Sequence, residues 1–112
     1  GLNPEIMGHG PIAALRLAMK LAGITINYTD LVEINEVFAA QVFRSAKHLG
    51  IDMDKLNIHG GGIALGHPFG MTGARIMTTL INGLQTTGKT VGMESMCVGG
   101  GQGMAMIVER LS

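Results

Sequence analysis

The sequence predicts an α/β fold with a layered α/β/α architecture. Helix-like and strand-like segments alternate along the chain, which is typical of a sheet covered by helices. Only a few residues separate the last two apolar segments, too few for a parallel crossover, so we expect these strands to be antiparallel and the sheet to be mixed. Because the first predicted element is a helix, we also expect the first strand of this unit to be missing.

Apolar residues spaced by about 3.6 positions indicate three helices. The first lies between Pro11 and Gly23, residue types that suit a helix start and a helix end. The second runs from Phe38 to a stop at Gly50, and the third begins near Thr72. Four strand-like stretches complete the pattern, at residues 30–35, 55–61, 90–96 and 104–108.

The composition is that of one modest globular domain. The chain has 112 residues, 46% hydrophobic and 14% charged, which excludes a disordered tail. The formal net charge is zero, so the chain has no excess of basic residues for binding nucleic acid. No apolar run approaches the ~18 residues that span a membrane. The start of the chain has no signal-peptide pattern and the single cysteine cannot form an internal disulfide, which together favour a reducing, cytoplasmic location.

Residues 83–90, GLQTTGKT, match the phosphate-binding pattern GxxxxGK[ST]. That loop requires a preceding strand and a following helix, so that amides at the helix N-terminus face the phosphates. Here a helical pattern precedes the match and a strand-like stretch follows it. We therefore interpret Gly88 as a helix end and Lys89 as an exposed cation.

Three places combine reactive side chains with a junction between predicted elements. Asn35 follows a strand and precedes a helix, so it suits either a helix N-cap or a ligand-facing amide at a strand end. His67 lies in the glycine-rich stretch 60–73, where it could be a general base or a structural histidine. Cys97 precedes three glycines whose amides could form an oxyanion hole. Its thiol could be a nucleophile, a proton carrier, a metal ligand or a small buried group.

Four motifs, in order, resemble the C-terminal end of thiolases, the acyl-CoA C-acyltransferases. They read MGHGPIAA, NEVFA, GGIALGHPFGMTGAR and CVGGGQG, and they span essentially the whole chain. The resemblance implies a thiolase-like half-domain that serves the Claisen condensation of acyl-CoA or the thiolytic cleavage of 3-ketoacyl-CoA. It implies coenzyme A thioesters as substrates, with no further cofactor and no metal.

The resemblance also implies a role for each matched residue. His67 matches the histidine that activates the nucleophilic cysteine and helps to bind a thioester oxygen, and Cys97 matches the cysteine that moves the α-proton. Asn35 matches the asparagine that orients a water in the first oxyanion hole, and the amide of Gly99 matches part of the second. Phe38 matches an aromatic residue of the acyl-pantetheine tunnel. Next to it Val37 replaces a common alanine, a change that narrows the tunnel.

In this family the nucleophilic cysteine lies in the first half of the enzyme, whereas this chain contains only Cys97. We therefore expect residues 1–112 to be an incomplete thiolase C-terminal domain that lacks the N-terminal and loop domains and is inactive alone. Its expected partners are acyl-CoA or CoA and the missing N-terminal half, in a dimer or tetramer in the full enzyme, with no nucleic acid and no membrane. A eukaryotic source would add the mitochondrion or peroxisome to the expected locations. The alternative is a non-catalytic half-domain that binds a partner chain or a CoA-like ligand.

Overall fold

The computed structural model describes residues 1–3 and 9–112 of the chain. The described part therefore includes all the predicted elements, whereas Met7 and Gly8, which open the first motif, lie outside it. Within these described ranges there are four α-helices: α1 (Gly10–Ala22), α2 (Ala39–Leu49), the single turn α3 (Gly62–Leu65) and α4 (Thr72–Thr87). Three strands accompany them: β1 (Leu31–Ile34), β2 (Val91–Val98) and β3 (Gln102–Glu109).

The three strands form one mixed sheet in the order β1-β2-β3. β1 pairs in parallel with β2, in a register that places Glu33 opposite Glu94. β2 and β3 form an antiparallel hairpin in which Cys97 is opposite Gly103. The mixed sheet and its antiparallel last pair are therefore confirmed.

Helices cover both faces of the sheet, which confirms the layered α/β/α prediction. On one face, Leu15 of α1 and Val42 of α2 pack with buried residues of the strands, namely Val32, Ile34 and Met93. On the other face, Leu80 and Leu84 of α4 pack on Leu31. Successive residues of a strand point to opposite faces of the sheet, and here helices cover both faces. All four residues of β1 are therefore buried. None of the helices in the described ranges is long and apolar enough to cross a membrane.

Each of the three long helices ends at a glycine with left-handed backbone: Gly23, Gly50 and Gly88. Such a residue lets the chain leave the helix while its amide bonds to one of the last carbonyl groups. The helix end at Gly88 also explains the match of residues 83–90 to the phosphate-binding pattern. Most of the matching residues lie at the C-terminal end of α4, and β2 follows them. The match therefore has the wrong structural context for phosphate binding.

The prediction of a strand over residues 55–61 is wrong. Only Leu56 bridges to Val32 of β1, and the chain turns away at Asn57, which has a positive φ of 48°. The Asn57 side chain then takes the place of a neighbouring strand. Its Oδ1 accepts from the N–H of Ile34 at 2.9 Å, and its Nδ2 donates to the Ile34 carbonyl at 2.9 Å. The end of β1 therefore has its hydrogen bonds without a fourth strand.

The start of α1 lies directly against the beginning of β3. A Cβ atom added to Gly103 would collide with the carbonyl group of Gly10, and one added to Gly10 would lie 2.8 Å from the carbonyl oxygen of Gln102. Two backbones can approach this closely only where neither residue has a side chain. This contact places the N-terminus of α1 against Cys97, whose Cβ would lie 3.3 Å from a Cβ on Gly10.

We expect Gly103→Ala to lower the free energy of unfolding by about 2–3 kcal/mol, because α1 or β3 must shift to accept the methyl group. Gly70→Ala is the matched control, since nothing lies within 4 Å of the added carbon there. Urea unfolding of the two variants checks the prediction. Equal stabilities of the two variants would show that the close approach of α1 to β3 does not exclude a side chain at residue 103.

Candidate functional site

Asn35 lies immediately after β1 and is fully buried. Its N–H donates to the carbonyl of Ser95 at 3.0 Å, which continues the pairing with β2 by one residue. Of the two roles considered for Asn35, the helix N-cap is wrong, because α2 begins only at Ala39 and Phe38 is its N-cap residue. The Asn35 side chain instead contacts His67, with 3.3 Å between Nδ2 and the ring Nδ1.

The glycine-rich loop is pressed against the end of β1. A Cβ on Gly61 would lie 2.8 Å from the Glu36 carboxyl group, and one on Gly62 would lie 3.1 Å from Oδ1 of Asn35. The Glu36 carboxylate accepts from the N–H of Ile63 at 3.0 Å, which holds the short helix α3 in place. A side chain at either position would therefore have to displace Glu36 or Asn35, so glycine favours this close approach.

His67 is half-buried and is held from two sides. Its Nδ1 lies 2.6 Å from Oγ1 of Thr72, a fully buried residue in the first turn of α4. The Phe69 ring packs edge-on against the imidazole, with centroids 5.2 Å apart and an interplanar angle of 71°. The contacts with Thr72 and Asn35 both involve Nδ1, which leaves Nε2 as the ring nitrogen available to a ligand.

A cavity of about 370 Å³ brings three of the predicted residues together. His67, Cys97 and Gly99 line it, together with Val37, Phe69, Met96 and Val98. Asn35 lies behind His67 and reaches the cavity through its contact with that ring. Cys97 is only 7% exposed, but it lines this cavity, so burial does not make it inaccessible to a small ligand.

Phe38 is the predicted residue that the structure leaves apart from this cavity. Its side chain is 68% exposed, and the cavity is lined instead by its neighbour Val37. Sequence reasoning missed Thr72 and Arg75, the two polar residues of α4 that contact His67 and Asn35. Their three-residue spacing in the motif TGAR, which places both on one face of a helix, was the available signal.

Comparisons with known proteins identify the family of this chain. The family model for the thiolase C-terminal domain matches residues 1–110. The chain belongs to the thiolase family. The most similar relatives are named acetyl-CoA acetyltransferase or 3-ketoacyl-CoA thiolase. Acetyl-CoA acetyltransferase from Escherichia coli (strain K12) is 50% identical over 112 residues, which cover 100% of this chain and 28% of that protein. A 3-ketoacyl-CoA thiolase from Vibrio cholerae is 52% identical over 113 residues, which cover 98% of this chain and 29% of that protein.

Solved thiolase structures have the same fold. The crystal structure of human mitochondrial 3-ketoacyl-CoA thiolase superposes with a TM-score of 0.97 at 44% identity, and it covers 100% of this chain and 28% of that one. A second structure of that human enzyme, in complex with CoA, superposes equally well. The thiolase domain described here thus spans less than a third of the length of the relatives it matches.

Two carboxyl groups of this thiolase domain, one buried and one half-buried, have a raised pKa. Glu33 and Glu94 are opposite each other on β1 and β2, on the face covered by α4. Burial raises the pKa of Glu33 to about 7; Arg75 partly offsets this effect, while Glu36 and Glu94 add to it. Burial alone raises the pKa of Glu94 to about 7. At neutral pH both groups are therefore partly protonated.

We expect the stability of this domain to fall as pH rises from about 4.5 to about 7 and then to level off. In this window Glu94 keeps its proton in the folded chain but has lost it in the unfolded chain, so deprotonation favours unfolding. Glu94→Gln should stabilise the domain at about pH 8 by about 1–2 kcal/mol, a value reduced for solvent screening of this half-buried group. Near pH 4.5 it should have little effect.

Urea unfolding of wild type and variant at the two pH values checks this. Glu109→Gln is the control, because Glu109 is on β3 and exposed. A Glu94→Gln variant with the same pH dependence as the wild type would contradict the burial of this carboxyl group.

Proposed function

We propose that this chain is the C-terminal catalytic portion of a thiolase that joins two acyl-CoA molecules by Claisen condensation or cleaves a 3-ketoacyl-CoA with CoA. The observation that carries the proposal is the shared cavity. An imidazole from the glycine-rich loop lines one space of about 370 Å³ together with a thiol and a glycine backbone from the end of β2. These are the groups that proton transfer and oxygen stabilisation at a thioester require.

Cys97 is the proton carrier in this proposal. As a thiolate it removes the α-proton of an acetyl thioester, and the electron pair left behind forms an enolate. The enolate carbon then attacks the carbonyl carbon of a second acyl group held as a thioester on a nucleophilic cysteine. The new carbon–carbon bond forms as that thioester bond breaks, and the nucleophile leaves as a thiolate. Thiolytic cleavage is the same sequence in reverse.

Two groups stabilise the negative oxygen atoms of these steps. Gly99 has no side chain to screen its amide from the cavity, so the N–H can donate to the oxygen of the acyl group under attack. His67 presents Nε2 to the thioester oxygen of the enolate, and it exchanges a proton with the nucleophilic cysteine. Asn35 supports this pair by orienting a water at the first oxyanion site. These assignments follow the family resemblance, and the contacts of His67 support them.

Val37 limits, in part, the size of the acyl group that the cavity accepts. Its side chain lines the cavity, where an alanine would leave more room, so the proposal includes a preference for short acyl groups. Phe38, exposed on the same turn of chain, is proposed to contact the pantetheine arm where it enters. Coenzyme A thioesters are the proposed substrates.

The nucleophile must come from elsewhere, because Cys97 is the single cysteine of this sequence. We propose that an N-terminal thiolase half supplies it across the open side of the cavity, and that the complete assembly is a dimer or tetramer. Phe69, which lines the cavity, is an exposed apolar side chain, which suits a surface that another domain covers. The chain alone is then inactive in acyl transfer.

The test combines this chain with the part of Escherichia coli acetyl-CoA acetyltransferase that the match does not cover. We expect acetoacetyl-CoA cleavage by the mixture but not by either part alone. Cys97→Ala should lower kcat by at least about 100-fold, the usual contribution of a positioned acid or base. Val98→Ala is the matched control, because it lines the same cavity but has no proton to transfer, so it should change KM more than kcat.

Turnover by the chain alone, abolished in Cys97→Ala, would contradict the need for an external nucleophile. Stable association without turnover would favour the alternative, a half-domain that binds a partner without catalysis.

A further inference from the structure

Thr72 lies in the first turn of α4, and its side chain is fully buried. Its hydroxyl oxygen Oγ1 lies 2.6 Å from Nδ1 of His67 and 3.0 Å from the carbonyl oxygen of Pro68. A hydroxyl group has one hydrogen to donate, and its oxygen can also accept. A carbonyl oxygen only accepts, whereas a ring nitrogen of neutral histidine donates in one tautomer and accepts in the other. The direction of the short contact with His67 therefore depends on where the Thr72 hydrogen points.

Other threonines of the same helix show where such a hydrogen goes. Threonine in a helix commonly donates to the carbonyl group four residues earlier, because its branched side chain places Oγ1 against the preceding turn. Pro68 stands four residues before Thr72, and its carbonyl also accepts from the N–H of Thr72 at 3.1 Å. The hydroxyl hydrogen of Thr72 therefore belongs to Pro68. The same bond occurs at three more places in α4: Thr78 to Ala74 at 2.8 Å, Thr86 to Asn82 at 3.0 Å and Thr87 to Gly83 at 2.7 Å.

This use of the hydrogen has a consequence for the imidazole. With its hydrogen directed to Pro68, the Thr72 hydroxyl presents a lone pair to Nδ1 of His67. The complementary form of the neutral ring has its hydrogen on Nδ1 and a lone pair on Nε2.

The amide of Asn35 is the competing partner of the ring. Its Nδ2 lies 3.3 Å from Nδ1 of His67, and a donor there would favour the opposite tautomer. That distance is beyond the ~3.2 Å limit of typical N–H hydrogen bonds, whereas the contact with Thr72 is 2.6 Å. The shorter contact therefore decides the position of the ring hydrogen.

We propose that Thr72 is a positioning residue of the site: its hydroxyl, held by the Pro68 carbonyl, accepts from Nδ1 of His67 and fixes the Nδ1–H tautomer. The ring nitrogen available to a ligand, Nε2, then carries a lone pair and is a proton acceptor. Thr72 itself does not line the cavity, so it acts only through the ring.

This tautomer gives the two proposed functions of His67 an order. The thiol of the nucleophilic cysteine first transfers its proton to Nε2: the S–H bond breaks, an N–H bond forms, and a thiolate and an imidazolium result. The new Nε2–H is then the donor for the thioester oxygen. This order rests on the proposed function, whereas the tautomer does not.

The test is a long-range ¹H–¹⁵N NMR spectrum of the histidine rings in the full chain, recorded at alkaline pH, where imidazole rings are neutral. The coupling pattern and nitrogen shifts identify which nitrogen carries hydrogen, and single substitutions assign the four histidines. We expect the Nδ1–H form at His67. An Nε2–H ring in the wild type overturns the proposal, and this measurement needs no variant.

Thr72→Val removes the hydroxyl group and keeps the branched shape of the side chain. The Asn35 amide is then the remaining polar partner of Nδ1, so the tautomer ratio should shift toward Nε2–H by about fivefold, the factor that one net hydrogen bond supplies. Thr72→Ser keeps a hydroxyl group and should retain the wild-type tautomer. Thr78→Val is the matched control: it removes a hydroxyl bonded in the same way, on the exposed side of α4, and should change nothing at His67.

An unchanged ratio in a folded Thr72→Val variant overturns the role of Thr72. So does a Thr72→Ser variant that behaves like Thr72→Val, because packing rather than the hydroxyl would then set the tautomer. If Thr72→Val does not fold, Thr72→Ala replaces it, with the same expected shift and the same contradicting result. Failure of the complementation assay would leave these spectra unaffected, which separates this inference from the proposed function.

Discussion

The parallel pairing of β1 with β2 is the constraint on which the site depends. Parallel neighbours end at the same edge of a sheet, so the residue after β1 and the residues near the end of β2 must meet there. The pairing of Asn35 with Ser95 extends the contact by one residue, and Cys97 follows two positions later. Residues more than 60 positions apart in sequence are thus brought to one edge by backbone hydrogen bonds rather than by side-chain contacts.

The first turn of α4 then aligns the remaining groups with that edge. Thr72 contacts His67 and, one turn later, Arg75 contacts Asn35, so one helix face orients both polar side chains. The same helix buries Leu80 and Leu84 against the sheet. A rotation of α4 that displaced the polar contacts would also expose this apolar surface. Core packing and site geometry are therefore coupled through a single rigid element.

Much of the fold could be predicted from the sequence, because helices, their ends and short links between strands depend on local sequence patterns. Apolar spacing and the glycines after each helix located α1, α2 and α4, and the short link before β3 required the antiparallel pair. The strand predicted at residues 55–61 failed because a side chain replaces the backbone there. Asn57 satisfies both polar groups of Ile34, and no periodicity in the sequence reports such a substitution.

The candidate site was also predictable only in part. His67, Cys97 and Gly99 were found because glycine-rich junctions mark where backbone approaches a ligand, and Asn35 because it follows a strand. The contribution of Arg75 was not predictable, since it depends on a contact across 40 positions that only the packing of α4 on β1 creates.

Asn57 also shows why the glycine loop can be ordered without regular structure. Its Nδ2 group, bonded to the Ile34 carbonyl, also lies 3.3 Å from the Glu36 carboxylate, whose other oxygen accepts from Ile63 in α3. The end of β1 and the start of the loop are thus joined through two side chains. Because a buried backbone group without a partner is costly, this chain of hydrogen bonds resists any movement of the loop away from the strand. His67 lies in that loop, so the position of its ring depends on the end of β1 as well as on Thr72.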